Sequence, residues 1–282
     1  KLFLCAMPEL PEAETIVRGL RPRVTGKTIA RAEVLRPDIL REPKRKFTLR
    51  LRSRGIDGVT RRAKNIVIEL DDKSVIWVNL GMTGRLLHFP SPPTGPDRPT
   101  HTAVRFRFEE GSTLVFDDVR RFGTVEHLEA SLRTQRSEAM GPEPLTDTWL
   151  PEHLLESLSR SRAPARSWLL DQRRIAGIGN IYAAEALFLA GIDPRTPARD
   201  IDQVRVRALH RSIRDVLQKA IDAGGTTIRD YRNAEGEMGQ YGRQLYVYGR
   251  EGSPCHRCDS PITRVVFSNR SAFLCPVCQP SL

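Results

Sequence analysis

The chain lacks any run of about 18 apolar residues, the length a helix needs to cross a bilayer. It also lacks internal repeats and low-complexity tracts, which sets aside solenoids and fibrous assemblies. The apolar opening Lys1-Leu2-Phe3-Leu4-Cys5-Ala6 is too short for a secretory signal. Acidic residues are in deficit: 34 Asp and Glu face 45 Lys and Arg, leaving a formal charge of +11 and a pI near 9.9. Such an excess favours a polyanionic partner, nucleic acid before anionic membrane. The basic residues are also grouped, at 41–54, Arg61-Arg62-Ala63-Lys64, Arg120-Arg121 and 160–174, as phosphate tracking on one surface requires. Hydrophobic content of 39% and charged content of 28% are ordinary for a globular protein, and 282 residues suggest two units or a little more.

Cysteine is scarce but patterned. Four of the five form Cys255-x2-Cys258-x16-Cys275-x2-Cys278, while Cys5 stands alone. Each close pair can turn around a metal, and four thiolates complete the tetrahedral shell of a structural Zn²⁺. The alternative, two disulfides, needs an oxidising compartment that nothing else in the chain supports. Residues 262–267 and 272–274 read as two strands around the turn Ser268-Asn269-Arg270-Ser271, making a zinc ribbon. A site closed by four thiolates has no open position, so one structural zinc and no catalytic metal is expected.

Upstream, residues 12–23 carry apolar side chains at helical spacing, with Ile16, Val17 and Leu20 on one face. Short β-branched runs follow at 28–35, 59–62, 66–70, 75–80, 102–108, 113–116 and 124–127, an all-β sandwich or barrel pattern. The joint Gly141-Pro142-Glu143-Pro144-Leu145 marks a boundary. Beyond it, residues 151–160, 167–171, 181–190 and 201–223 read as helices.

Several segments carry chemistry only on a second reading. Met7-Pro8-Glu9-Leu10-Pro11-Glu12-Ala13-Glu14-Thr15 passes locally for a plain helix start, with Pro11 in the first turn and acids at the positive dipole end. If translation begins at Met7 and that residue is removed, Pro8 becomes a terminal secondary amine, titrating near pH 7.7–8.0 for an ordinary chain terminus, roughly as model peptides do. Such an amine can attack a sugar carbon and form an iminium, and Glu9 beside it can supply a proton. On that reading residues 1–7 are an extension or a mis-assigned start. Lys64 lies in a basic turn, and Gly81-Met82-Thr83-Gly84 and Val119-Arg120-Arg121-Phe122-Gly123 are glycine-containing loops. Gly177-Ile178-Gly179 precedes a helix whose free N–H groups suit a phosphate.

The segment MPELPEAETIVRGL, residues 7–20, resembles the N-terminal signature of the formamidopyrimidine-DNA glycosylases, which excise oxidised purines from DNA. The resemblance recurs along nearly the whole chain from Met7. It implies an α+β multidomain fold: an N-terminal helix plus β-sandwich over 8–138, a linker at 139–150, a helix–two-turns–helix domain with a lesion loop over 151–242, and the zinc ribbon over 243–282. The residues that match the family's motifs then take roles. Pro8 is the nucleophile and Glu9 the proton donor, while Lys64 and Arg270 contact the phosphate at the lesion. Met82, Arg120 and Phe122 fill the space left by an extruded nucleotide. His101, Arg121, Arg162 and Asn180 bind the DNA backbone, with Arg166 adding to them. The polar loop at 231–241 embraces the extruded base. Val119 stands where the family often has proline.

The function so implied is base-excision repair: a glycosylase for 8-oxoguanine and formamidopyrimidines whose lyase activity cuts the strand by β- and δ-elimination through a Schiff base at Pro8. Its partner is damaged double-stranded DNA, its cofactor one zinc, and it is expected to be a monomer in a bacterial cytoplasm. Two rivals remain. One is an endonuclease VIII-like enzyme for oxidised pyrimidines, against which Leu10, Met82 and Arg120-Arg121-Phe122 speak. The other is a non-catalytic zinc-ribbon DNA-binding protein, which leaves Pro8-Glu9 without a purpose.

Overall fold

The computed structural model describes residues 7–93, 95, 98–226, 239–267 and 270–281. They form two compact units, one of Met7–Ala139 with Gly224–Gln240, the other of Met140–Ala223 with Tyr241–Leu282.

The first unit opens with α1 (Leu10–Val24). Leu10, Ala13, Ile16, Val17, Leu20 and Val24 recur at helical spacing and are all buried, so one stripe of the helix faces the sheet. Eight antiparallel strands follow: β1 (Thr28–Val34), β2 (Arg54–Arg62), β3 (Asn65–Leu70), β4 (Val75–Asn79), β5 (Gly84–Phe89), β6 (Thr102–Phe108), β7 (Thr113–Asp118) and β8 (Thr124–Leu128). Their order is β5-β7-β6-β1-β2-β3-β4-β8. β1 and β2 pair only at Thr28–Gly55 and Ile29–Arg54, so the sheet divides there into two four-stranded leaves. Both leaves and α1 share one apolar core, from Val104, Phe106 and Phe116 on one leaf to Ile66, Ile68 and Val78 on the other. This is the expected helix-plus-sandwich architecture. Two helices are absent from the sequence reading. α2 (Lys44–Leu51) buries only Phe47 and Leu51 amid basic residues, and α3 (Ala130–Glu138) buries nothing. β5 is a further addition, because Gly-Arg-Leu-Leu-His-Phe has no β-branched residue to mark it.

The second unit comprises α4 (Pro151–Ser159), α5 (Ala165–Leu170), α6 (Asn180–Leu189), α7 (Gln203–Asp222) and the hairpin β9 (Thr263–Phe267) with β10 (Arg270–Leu274). α6 is apolar nearly all round and runs through the middle, its residues Ile181–Phe188 buried. Its Glu185, wholly buried, accepts backbone N–H bonds from Tyr246 (2.7 Å), Val247 (3.0 Å) and Tyr248 (2.9 Å). Buried Gln279 receives the Cys275 N–H at 3.0 Å and donates to the Ile192 carbonyl at 2.7 Å. The chain is thereby tied to α6 ahead of the four cysteines and to the segment after α6 behind them.

The four clustered cysteines have ligand atoms within 4.8 Å of one another, with Sγ–Sγ separations of 3.4, 3.6 and 3.9 Å among them. Zn–S bonds of about 2.3 Å in a tetrahedron put sulfurs about 3.8 Å apart, so the set fits zinc, and the spacing is too long for any disulfide. Backbone N–H groups of Arg257 and Cys278 point at Cys255 Sγ (3.4 Å) and Cys275 Sγ (3.5 Å), as in metal-binding knuckles. Hydrogen bonds from Ser260 draw the Cys258 thiol down, whereas burial pushes the Cys275 and Cys278 thiols up in the absence of a cation. The cluster is a structural zinc site.

Two outcomes are expected. A thiol-reactive mercurial should release about one zinc per chain, read with a colorimetric indicator, and lower the melting temperature, as loss of a closed four-thiolate site requires. Glu185→Ala strands three backbone donors in an apolar interior. It should lower unfolding free energy by about 3 kcal/mol in urea titration, whereas Glu152→Ala on exposed α4 should change it little.

Candidate nucleic-acid interface and active site

Glu9 sits immediately before α1 and is 3% exposed, with Pro8 half-buried ahead of it. The turn is held by Glu12, itself 2% exposed. One Glu12 oxygen accepts the Glu9 N–H at 2.8 Å and the other accepts the Thr226 N–H at 2.7 Å. Those amides replace the water this carboxylate has lost on burial. One side chain therefore fixes both the Pro8-Glu9 turn and the foot of the segment beginning at Gly224. Joined to Met7, the Pro8 nitrogen is an amide whose lone pair is delocalised; only as a chain terminus is it a nucleophilic amine.

Lys64 lies at the β2–β3 turn, half-buried, beside Ala63 in the left-handed region at φ 55°. Arg61 braces that turn: its Nη1 donates to the Ala63 carbonyl at 2.9 Å and its Nε to Glu14 of α1 at 3.1 Å. The same turn connects to the first glycine loop. Asn65 donates to the Arg62 carbonyl (3.1 Å) and accepts from Asn79 (2.9 Å), whose own oxygen takes the Gly81 N–H (3.0 Å).

The two glycine loops are packed against each other without room for a side chain. Gly81 has φ +61°, and a Cβ there would come within 2.5 Å of the Gly123 nitrogen and the Phe122 carbonyl carbon. Buried Asp118 clamps them together. One oxygen takes the Thr83 hydroxyl at 2.5 Å and the Arg120 N–H at 3.2 Å, and the other takes the Gly123 N–H at 2.8 Å. On this rigid base Arg120 and Phe122 point outward, the guanidinium 4.7 Å over the ring, and Phe122 is 56% exposed. Met82 on the facing loop is half-buried. Arg121, exposed and at φ 55°, rests on Asp38 at 3.2 Å, a solvent-screened pairing that an arriving phosphate can displace. Exposed His101 is fixed by its backbone N–H to Asp117 (2.8 Å).

In the second unit, Gln172 staples the turn between α5 and α6. It accepts the Gly177 N–H at 2.9 Å and donates to the carbonyls of Leu170 (3.1 Å) and Ile178 (2.8 Å). Asn180 opens α6, with its Oδ1 accepting from Arg166 at 2.7 and 3.0 Å and its Nδ2 donating to the Ser271 carbonyl at 3.1 Å. Arg166 donates to that same carbonyl at 3.1 Å and stacks over Phe267 at 5.0 Å. Asn180 and the ribbon strand that begins with exposed Arg270 are thus held by one guanidinium. Burial, then the nearby Arg270 charge, pulls the Arg166 pKa down to about 10. Arg166 corrects the expectation of a phosphate contact: at 1% exposure it is an internal tie. Exposed Arg162 remains on the surface beside it in sequence.

The structure thus brings Pro8, Glu9, Lys64, Met82, His101, Arg120, Arg121 and Phe122 into one unit, and Arg162, Asn180, Arg270 and the four cysteines into the other. The residues that hold them, Glu12, Asn65, Asn79, Asp118, Glu185 and Gln172, do not stand out as such in the sequence. Polar residues inside strands and helices are the available signal, since buried ones must have partners. Most of the 231–241 loop, the ribbon tip Ser268-Asn269 and Lys1–Ala6 with Cys5 lie outside the described residues. Among the described residues no helix is long and apolar enough to cross a membrane.

Residues 7–125 match the formamidopyrimidine-DNA glycosylase N-terminal domain, residues 140–232 the H2TH domain of the same enzymes, and residues 252–280 the zinc finger found in FPG and IleRS. A formamidopyrimidine-DNA glycosylase of Ruegeria sp. (strain TM1040) is 43% identical, covering 97% of this chain and 100% of its own. One from Chloroflexus aggregans is also 43% identical, covering 97% and 98%. Among solved structures, Lactococcus lactis Fpg in complex with DNA containing an abasic site matches with a TM-score of 0.89 at 33% identity, covering 97% of this chain and 100% of that one. MutM (Fpg) from Thermus thermophilus matches at 0.86 and 36%, covering 98% and 100%. With its helix-plus-sandwich unit, its helix–two-turns–helix turn and its four-cysteine ribbon, the chain belongs to the formamidopyrimidine-DNA glycosylase family.

Proposed function

We propose that this protein is a DNA glycosylase for damaged duplex DNA, that its substrates are oxidised purines, chiefly 8-oxoguanine and formamidopyrimidines, and that it cleaves the strand as an AP lyase. One observation carries the reading: an exposed phenylalanine stacked beneath an arginine on a platform locked by a buried aspartate. An apolar ring so exposed is costly in a protein that meets only water, but it fits a space opened in a base stack. Arg120 beside it can hydrogen-bond the base left unpaired. Lactococcus lactis Fpg has been solved with DNA containing a substituted Fapy-dG, which supports the substrate class.

The chemistry follows from the Pro8-Glu9 turn with Pro8 as the chain terminus. The amine lone pair attacks C1′ and the bond from C1′ to the damaged base breaks, the base leaving with that electron pair and taking up the proton that the amine nitrogen sheds. Glu9 protonates the ring oxygen, the sugar opens, and the nitrogen becomes an iminium. That cation acidifies the C2′–H. Loss of this proton expels the 3′ phosphate, and a second elimination expels the 5′ phosphate, leaving a one-nucleotide gap. Lys64 and Arg270 contact the lesion phosphate, and Lys64 assists proton transfer. His101, Arg121, Arg162 and the remaining Nδ2 hydrogen of Asn180 bind the backbone on either side. The zinc takes no part in these steps; it holds the ribbon that carries Arg270.

Two experiments test this. Protein beginning at Pro8 and protein beginning at Lys1 are verified by mass spectrometry, then mixed with an 8-oxoguanine duplex and borohydride. The Pro8 form gives a covalent adduct at that residue, faster than on an oxidised-pyrimidine duplex, and the intact Lys1 form gives none. An adduct from the Lys1 form mapped to another residue overturns the nucleophile, and preference for the pyrimidine lesion overturns the substrate class. Secondly, Arg120→Ala flattens discrimination among bases opposite the lesion by roughly tenfold, the size of one lost base contact. Arg162→Ala instead weakens lesion and undamaged DNA alike and reduces the salt slope by about 1. Equal loss of discrimination in both variants refutes the division of labour.

A further inference from the structure

The strand order leaves β1 incompletely covered. On one side it pairs with β6 from Ile29 to Val34; on the other it meets β2 only at Thr28 and Ile29. The Ser53 N–H, bonded to the Ile29 carbonyl at 2.8 Å, closes the end of that contact. Beyond it, Ala30 to Val34 have no paired strand among the described residues on the side away from β6, where alternate backbone N–H and C=O groups of a strand point. α2 packs against β1 through Phe47 and Leu51, and its outer side and the strand wall a groove of about 680 Å³, lined by residues 30–35 and by Lys44, Thr48, Leu49 and Arg52.

The groove has a chemical character. Leu35 and Leu49 are 43% and 61% exposed, among the largest apolar groups at the surface. Arg31, Lys44 and Arg52 are all exposed around it, and among the described residues neither Lys44 nor Arg52 has a carboxylate partner. The one acid in the lining, Glu33, is shared by Arg105 at 3.1 Å, Arg107 at 2.8 Å and the exposed Arg31 at 3.7 Å. Charged residues beside an open strand ordinarily guard it against self-pairing. Guarding alone does not leave two leucines exposed over a groove of this size. A second copy of the chain would oppose its own Lys44 and Arg52, and duplex DNA has no use for an open strand edge flanked by leucines.

We propose that this groove is a docking site for an extended, acidic and apolar peptide segment of a partner protein, which adds as a strand beside β1. Main-chain hydrogen bonds to the edge supply affinity, leucine contacts seat alternate side chains, and Lys44 and Arg52 select acidic sequences. This site is separate from the residues assigned to DNA and does not rest on the repair reading.

The probe is a fluorescein-labelled, end-blocked peptide of alternating aspartate and leucine, eight residues long, read by anisotropy at low salt. Binding is expected, weakened at least tenfold by the double substitution Lys44→Glu and Arg52→Glu, with circular dichroism confirming the fold. N-methylation of alternate peptide amides, which alters the ligand and leaves the protein untouched, weakens it at least tenfold too. The proposal is overturned by absence of binding at millimolar protein, by equal binding of the lysine-for-aspartate peptide, or by indifference to N-methylation. Displacement by undamaged duplex at its own binding affinity makes the groove a DNA surface, and loss of binding on self-association makes it a homodimer contact; either also overturns it.

Discussion

A carboxylate can be taken out of water only where other donors replace the water, and each unit is organised around that requirement. Glu12 and Asp118 in the first unit and Glu185 in the second are almost wholly buried, and each accepts backbone N–H groups: Glu12 from Glu9 and from the distant Thr226, Asp118 from Arg120 and Gly123 of its own loop, and Glu185 from the distant Tyr246, Val247 and Tyr248. Charge-assisted bonds of this kind are short and directional. They fix main-chain positions, which apolar packing alone does far less narrowly. Loss of any one acceptor strands several donors at once, so these three residues set the geometry of the loops they touch.

The functional groups are consequently exposed side chains on immobilised backbone. Arg120 and Phe122 project from a loop whose Arg120 and Gly123 amides are clamped by Asp118, and Gly81 permits an approach that any other residue would block. Pro8-Glu9 rests on Glu12, and Lys64 on a turn braced by Arg61. In the second unit Arg166 spends its guanidinium internally, on Asn180 and the Ser271 carbonyl, and so aligns the start of α6 with the first residues of β10. An arginine in a DNA-binding module is not thereby a DNA ligand. Its burial decides.

Features whose chemistry depends on spacing along the chain are legible in the sequence. The paired cysteines are local turns that coordination completes, and the Pro8-Glu9 turn and the two glycine loops are contiguous motifs. The sandwich strands with β-branched runs are legible for the same reason. What escapes reading depends on partners far away. α2 looks like a basic cluster until Phe47 and Leu51 meet the sheet, and β5 looks like a loop until β7 pairs with it. Arg166 looks like its neighbour Arg162 until the ribbon covers it.

The family, the metal ligands, the α+β composition and the identity of the groups able to do chemistry can be read along the chain, because each is carried by residue type at short, constant separation. Which acids become buried acceptors, which arginines stay exposed and where β1 keeps an edge emerge once the chain is folded. Those are properties of solvent access, which depends on segments tens to hundreds of residues apart meeting in space, as Glu12 and Thr226 do.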